Sequence, residues 1–226
     1  MKTATLYTVI AAVAALPLLA VDVPDSYIDY VESTGAQYVD TGIEGRYGTK
    51  VEVRFTGWTG NSTALFGSVG DSSYNNNHFL TFRSTSNRLR FIYGPSGKSG
   101  DTYTAAGANA IDIYHKTTVE VMDDGTVNLT FDNAAATTAA SSLGQFTTGT
   151  NIWLFAGNSR GSMGWACSAR LFGCRIWQDG DLVRDYRPCM KDGRPGLYES
   201  IEQKVVFSNS GTDLVAPSDF PIFIVK

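Results

Sequence analysis

The groups in this sequence best suited to chemistry are its carboxylates, its two histidines and a run of amide and aromatic side chains between residues 71 and 78. Cleaving a glycosidic bond takes two carboxyl groups placed across a sugar ring. On a strand, such groups sit at alternate positions that project into one cleft. No such run is present. Glu52 and Glu120 each stand alone on a strand face, and Asp29 and Glu32, three residues apart, fall on opposite faces. His78 and His115 have no metal-ligand spacing and no Ser-His-Asp or Cys-His setting. Catalysis by these routes is not expected.

Binding chemistry is better represented. A sugar offers C–H faces that stack on aromatic planes, and hydroxyls that pair with amide, carboxylate and guanidinium groups. The segment Asp71-Ser72-Ser73-Tyr74-Asn75-Asn76-Asn77-His78 supplies such groups between two strand-like runs. The ligand-binding set expected from it is Asp71, Tyr74, Asn75, Asn76, Asn77 and His78, joined by Trp58, Asn158, Arg160 and Trp165, with Asn61 a further neighbour. Asn-rich loops also serve purely as turns, and that reading stands beside the binding one. Trp153 and Trp177 read as core or sheet-face residues. Asp71 is the loop carboxylate suited to calcium, which takes hard oxygen donors, whereas Asp123-Asp124-Gly125 is better explained as a hairpin turn.

The elements that must position these groups are strands. Lys50–Thr56 alternates cleanly, with Val51, Val53 and Phe55 on one face and Lys50, Glu52 and Arg54 on the other. Thr63–Val69, His78–Arg83, Arg88–Tyr93 and Asn151–Gly157 are further strands, and Asn158–Gly164 reads as a loop. Tyr27–Ser33 and Gln37–Thr41 are expected to form a first hairpin around Thr34-Gly35, and Gly196–Glu199 to pair with Val205–Ser208. Between Thr117 and Asp132 the faces fix a register. Val119 and Val121 share a face with Val127, Leu129 and Phe131 only if the loop is odd, so Asp123-Asp124-Gly125 pairs Met122 with Thr126 and Val121 with Val127. Asp179-Gly180 marks a second tight turn, expected to pair Trp177 with Leu182, Ile176 with Val183 and Cys174 with Asp185. Asp185 then shares a face with Phe172, Cys174 and Ile176 and needs a partner from Arg170, Arg184 or Arg187.

The run Arg170-Leu171-Phe172, Cys174, Ile176, Asp179-Gly180, Leu182-Val183-Arg184-Asp185-Tyr186, Pro188-Cys189, Asp192-Gly193 and Gly196-Leu197-Tyr198 resembles the C-terminal signature of laminin-G-like (concanavalin A-like) jelly-roll domains. Tyr30-Val31-Glu32-Ser33-Thr34-Gly35-Ala36-Gln37-Tyr38-Val39-Asp40-Thr41-Gly42 resembles the opening strands of the same group. The resemblance implies an all-β fold: a two-sheet antiparallel β-sandwich, or jelly roll, over residues 21–216, with 217–226 as a tail. It implies a superfold that hosts lectins, adhesion modules and glycanases alike. It also implies a Cys174–Cys189 pair. The hairpin register sets Cys189 opposite Arg170, roughly 13 Å along the strand from Cys174 at about 3.3 Å per residue, so that bond needs a bend at Pro188. Buried thiols acting as small apolar groups are the other reading of the three cysteines.

Composition agrees with many short strands and turns. The 226 residues include 23 Gly, charged residues make up 18%, and the formal charge of −4 gives no basic excess for nucleic acid or an anionic membrane. Residues 1–20 carry Lys2 and then an uncharged apolar stretch ending in small residues, the layout of a signal peptide. The expected location is therefore secreted or cell-envelope. The expected function is a non-catalytic carbohydrate-binding (lectin-like) module. A structural or adhesive module with a cell-surface protein partner is the alternative, and a glycan-active hydrolase ranks third.

Overall fold

The structure is a computed structural model that describes residues 22–60, 62–70, 77–83, 89–95, 102–103, 113–132, 134, 137–139, 145 and 147–218. The expected leader, Asn61 and all of the tail beyond residue 218 lie outside the described residues. Strands run β1 (Ser26–Tyr27), β2 (Val31–Thr34), β3 (Val39–Arg46), β4 (Thr49–Thr59), β5 (Phe66–Val69) and β6 (Asn77–Arg83). They continue as β7 (Leu89–Pro95), β8 (Thr102–Tyr103), β9 (His115–Val121), β10 (Val127–Phe131), β11 (Thr137–Ala139) and β12 (Thr147–Leu154). The last six are β13 (Gly157–Ser159), β14 (Ser162–Gly164), β15 (Ser168–Gln178), β16 (Asp181–Lys191), β17 (Arg194–Glu199) and β18 (Lys204–Val206). No helix among the described residues is long and apolar enough to cross a membrane.

One sheet has ten strands. Its order is β11-β10-β9-β4-β15-β16-β17-β18, with β1 added on β16 and β2 on β15. Opposite it lie a five-stranded sheet, β14-β13-β5-β12-β3, and a three-stranded sheet, β6-β7-β8. Among the described residues every strand pairing is antiparallel except that of β13 with β5. This is the expected all-β jelly-roll sandwich. Its core gathers Val51, Val53 and Phe55 of β4 and Val119, Val121, Val127 and Leu129 of β9–β10, together with Phe66, Phe79, Phe91 and Tyr93 of the opposing layer. β6 lies directly on β5 because Gly67 has no side chain: an added Cβ would stand 2.7 Å from the Phe79 carbonyl and 2.8 Å from the Leu80 Cα. The Thr81 hydroxyl locks the crossing, donating to the Phe66 carbonyl (2.8 Å) and accepting from its N–H (3.0 Å).

The register read for the β9–β10 hairpin is the one observed. Val121 pairs with Val127 and Val119 with Leu129, and Gly125 takes φ 83 in the three-residue loop. The hairpin expected at Thr34-Gly35 does not form. β2 joins β15 in the large sheet and β3 joins β12 in the five-stranded one, so the chain crosses between layers there. Gln37 holds the crossing: its side-chain carbonyl accepts the Thr34 N–H (2.8 Å) and its amide donates to the Asp213 carbonyl (3.1 Å). Asn158–Gly164, expected as a loop, forms the short β13–β14 hairpin.

Two bulges correct the reading of β15–β16. The turn itself is as expected, with Asp179 at φ 52 and Gly180 at φ 90, and Trp177 faces Leu182. Ile176 then faces Arg184, because Val183 is an extra residue, and Cys174 faces Tyr186 rather than Asp185. Against β4, Leu171 pairs with Phe55 and Gly173 with Arg54, which leaves Phe172 without an opposite number. The extra residue turns Phe172 to the solvent face while Cys174 and Ile176 stay in the core. Asp185 lies opposite Arg175 and pairs with it (3.2 Å) and with Arg187 (3.5 Å). Of the three arginines expected to serve it, Arg170 pairs with Glu32 and Arg184 with Glu202.

Candidate functional site

Five of the residues expected to bind ligand converge beside the β13–β14 hairpin. Its turn is Arg160-Gly161, at φ 58 and 82. Asn158 builds that turn, its Nδ2 donating to the Asn151 carbonyl (2.9 Å) and its Oδ1 accepting from the Gly161 N–H (2.7 Å). Arg160 reaches across to donate from Nε to the Gly70 carbonyl (3.2 Å). Gly70 in turn donates its N–H to the Asn77 carbonyl (2.8 Å), so residues 70 and 77 are drawn together next to the arginine. Asp71, Tyr74, Asn75 and Asn76 lie outside the described residues.

Trp165 follows this hairpin and is the exposed aromatic of the group, with 37% of its surface accessible. Its backbone holds φ 51, a left-handed conformation uncommon for a bulky residue. The Ala64 N–H donates to its carbonyl (2.7 Å), fixing the bend. The indole lies over Gly157, where an added Cβ would come within 2.8 Å of Cε3, and its ring centroid is 6.4 Å from that of His78. A missing side chain beneath and a left-handed backbone behind thus combine to present the ring to solvent rather than bury it.

Three of the expected binding residues, two of them within this group, are taken up by the fold. Trp58 is 8% exposed. The left-handed Gly57 places an extra residue in β4, which turns the Trp58 indole into the core, where Nε1 donates to Thr63 Oγ1 (3.0 Å) and the ring meets Phe55 edge-on at 5.7 Å. Asn77 and Asn158 are buried. Asn77 donates to the Thr147 carbonyl (3.3 Å), and both amides serve the backbone as structural ties. The Cys174–Cys189 pair is also overturned. All three cysteines are free and buried, with Cys174 opposite Tyr186 while Cys189 lies between Tyr27 and Gly196. Burial pushes the Cys189 thiol up to about 12, and the other two upward as well. The carboxylate considered for calcium, Asp71, lies outside the described residues, and among the described residues no three His, Cys, Asp or Glu side chains cluster to hold a metal. Asp124 serves its turn as expected, accepting the Thr126 N–H (2.8 Å), a bond that holds its carboxyl below the usual range.

A concavity of about 380 Å³ lies at the other end of β15. Three turns meet there, bringing Gly48, Asp123 and Asp179 beside Trp177 and Lys50. The Lys50 ammonium lies 5.4 Å from the Trp177 ring. Both carboxylates crowd the bare Cα of Gly48, and Arg46 grips Asp179 through Nη1 (3.1 Å) and Nη2 (2.5 Å), holding it below the usual carboxylate range. Each turn is visible in the sequence, but their convergence depends on the pairing of distant strands.

No protein-family model matches this sequence, and no curated protein sequence matches it. Solved structures do. The CBM40 of the Ruminococcus gnavus IT-sialidase bound to α2,3-sialyllactose aligns with TM-score 0.52 and 10% identity over 71% of this chain and 94% of its own. The same CBM40 in another structure gives 0.51 and 9% over 69% and 91%. Domains LG4-5 of the mouse laminin α1 chain align at 0.48 and 17% identity over 76% and 48%. The chain therefore shares the β-sandwich jelly-roll fold of the CBM40.

Proposed function

We propose that this protein is a non-catalytic carbohydrate-binding module that receives a glycan at the Trp165 rim. The supporting observation is the exposed indole itself, held left-handed over Gly157 with the His78 ring beside it and Arg160 on the adjoining turn. A sugar's C–H face stacks on such a ring while neighbouring donors take its hydroxyls. The CBM40 structures, one bound to α2,3-sialyllactose and another to α2,6-sialyllactose, share the fold and add weight to the reading. Binding is favoured over hydrolysis because, among the described residues, no strand carries carboxylates at alternate positions that project into one cleft. Export, expected from residues 1–20, would place the module where glycans of the surroundings or of the cell envelope are met.

A glycan array with the purified protein tests the reading. Wild type is expected to bind one glycan class reproducibly, and Trp165→Ala to lose that signal with unchanged circular dichroism. A blank array for the folded wild type, or undiminished binding by the variant, overturns it.

A further inference from the structure

We propose that the solvent face of the ten-stranded sheet carries a second binding site, one that takes the oxyanion of an acidic saccharide between Arg54, Arg175 and Arg187. The three arginines line a cleft of about 390 Å³, within the roughly 300–1,000 Å³ of small-molecule sites. Its lining contains no carboxylate. The bulge in β15 creates it. Phe172 is turned outward by the extra residue, and at Gly173 the strand surface is bare. The Arg54 guanidinium occupies that bare spot: an added Cβ on Gly173 would strike its Nη2. Bulges of this kind re-aim side chains next to functional sites.

Among the described residues these charges are only partly compensated. Arg54 makes no hydrogen bond or ion pair among the described residues. Its cross-strand neighbour on β9 is Lys116, which is itself engaged with Glu52 (3.6 Å). Arg175 and Arg187 share the single buried carboxylate of Asp185, and the Arg187 side chain remains 55% exposed. On this face Arg54, Lys116, Arg175 and Arg187 thus share two carboxylates, Asp185 and the Glu52 opposite Arg175, in a protein whose formal charge is −4. The positive field is local to the cleft, and a planar or tetrahedral oxyanion matches the guanidinium fork.

The walls indicate a sugar as carrier of that anion. Phe172 and Tyr27 flank the arginines, and both are backed by other rings: Tyr114 (5.2 Å) and Tyr30 (5.7 Å) against Phe172, and Tyr198 (6.1 Å) against Tyr27. Tyr27 and Tyr114 are half exposed, so an aromatic strip long enough for more than one ring runs beside the charge. This site stands apart from Trp165 and does not depend on it.

Calorimetric titration at low salt tests the proposal with four probes: lactose 3′-sulfate, a galacturonate trimer, lactose and a tri-glutamate peptide. The expected result is that the sulfate, the uronate or both bind the wild type, and that whichever binds identifies the oxyanion. Arg54→Gln and Arg187→Gln are each expected to weaken that binding by about tenfold or more, the scale of a lost charge-assisted hydrogen bond. Trp165→Ala is expected to leave it unchanged. Because Arg54 has no hydrogen-bond or ion-pair partner among the described residues, its variant should melt as wild type does, which separates lost binding from lost fold. Failure of folded wild type to bind either anionic saccharide overturns the proposal, as does equal binding by both arginine variants. Tri-glutamate bound as tightly as the saccharides would also overturn it and mark an acidic-peptide site. Loss of binding in Trp165→Ala alone would assign the saccharide to the first rim instead.

Discussion

Glu199 has no exposed surface, and its carboxylate accepts three backbone N–H groups, those of Asp185 (3.0 Å), Ile201 (3.0 Å) and Glu202 (2.6 Å). It ties the β17–β18 turn to β16. Glu199→Ala strands these donors, and since an orphaned buried donor costs about 1–3 kcal/mol, a loss of that order is expected in urea unfolding. The thiols give a second check at this scale. Native protein should be silent to a thiol reagent, denatured protein should titrate three thiols, and reductant should leave the melting temperature unchanged. A lower melting temperature in reductant would restore the disulfide. Among single residues, the exposure of Trp165 and the turn at Arg160 follow from the polar, Gly-containing segment that precedes the tryptophan. The sequence could not tell Trp58 from Trp165. What separates them is the left-handed Gly57 in one case and the bare Gly157 in the other: the first is adjacent in sequence but its bulge depends on the pairing with β15, and the second lies eight residues before Trp165.

At the scale of elements, alternation was informative where a strand is regular and misleading where it is bulged. The β9–β10 register followed from parity alone, because one face must be apolar on both strands. In β15 a single extra residue, Phe172, reverses the phase, and another in β16, Val183, moves Cys174 from Asp185 to Tyr186. The same limit explains β2 and β3: a turn signal at Thr34-Gly35 fixes a change of direction but not which sheet receives the next strand. The crossing of β5 and β6 yields a prediction that belongs here. Gly67→Ala would drive a Cβ into backbone atoms of Phe79 and Leu80 that cannot rotate away, so a destabilisation of about 1–3 kcal/mol is expected by urea unfolding. A variant as stable as wild type would mean that the two strands are not in this contact.

Over the whole molecule, the same sandwich presents two kinds of surface. The rim at Trp165 offers an aromatic plane with polar neighbours, and the solvent face of the ten-stranded sheet offers arginines between aromatic rings. The jelly roll fixes where these surfaces lie but not which ligand they meet, and that choice rests with the side chains. The four tryptophans make the central claim directly observable, since Trp58 and Trp153 are buried, Trp177 is half-buried and Trp165 is exposed. In a nitrogen–proton correlation spectrum the four indole N–H signals can be assigned by single Trp→Phe variants and followed as the array-selected glycan is added. The signal of Trp165 should shift in a saturable way while those of Trp58 and Trp153 stay in place. A saturable shift confined to Trp177, or no indole shift at a glycan concentration that saturates binding, would contradict the assignment of the glycan to the Trp165 rim.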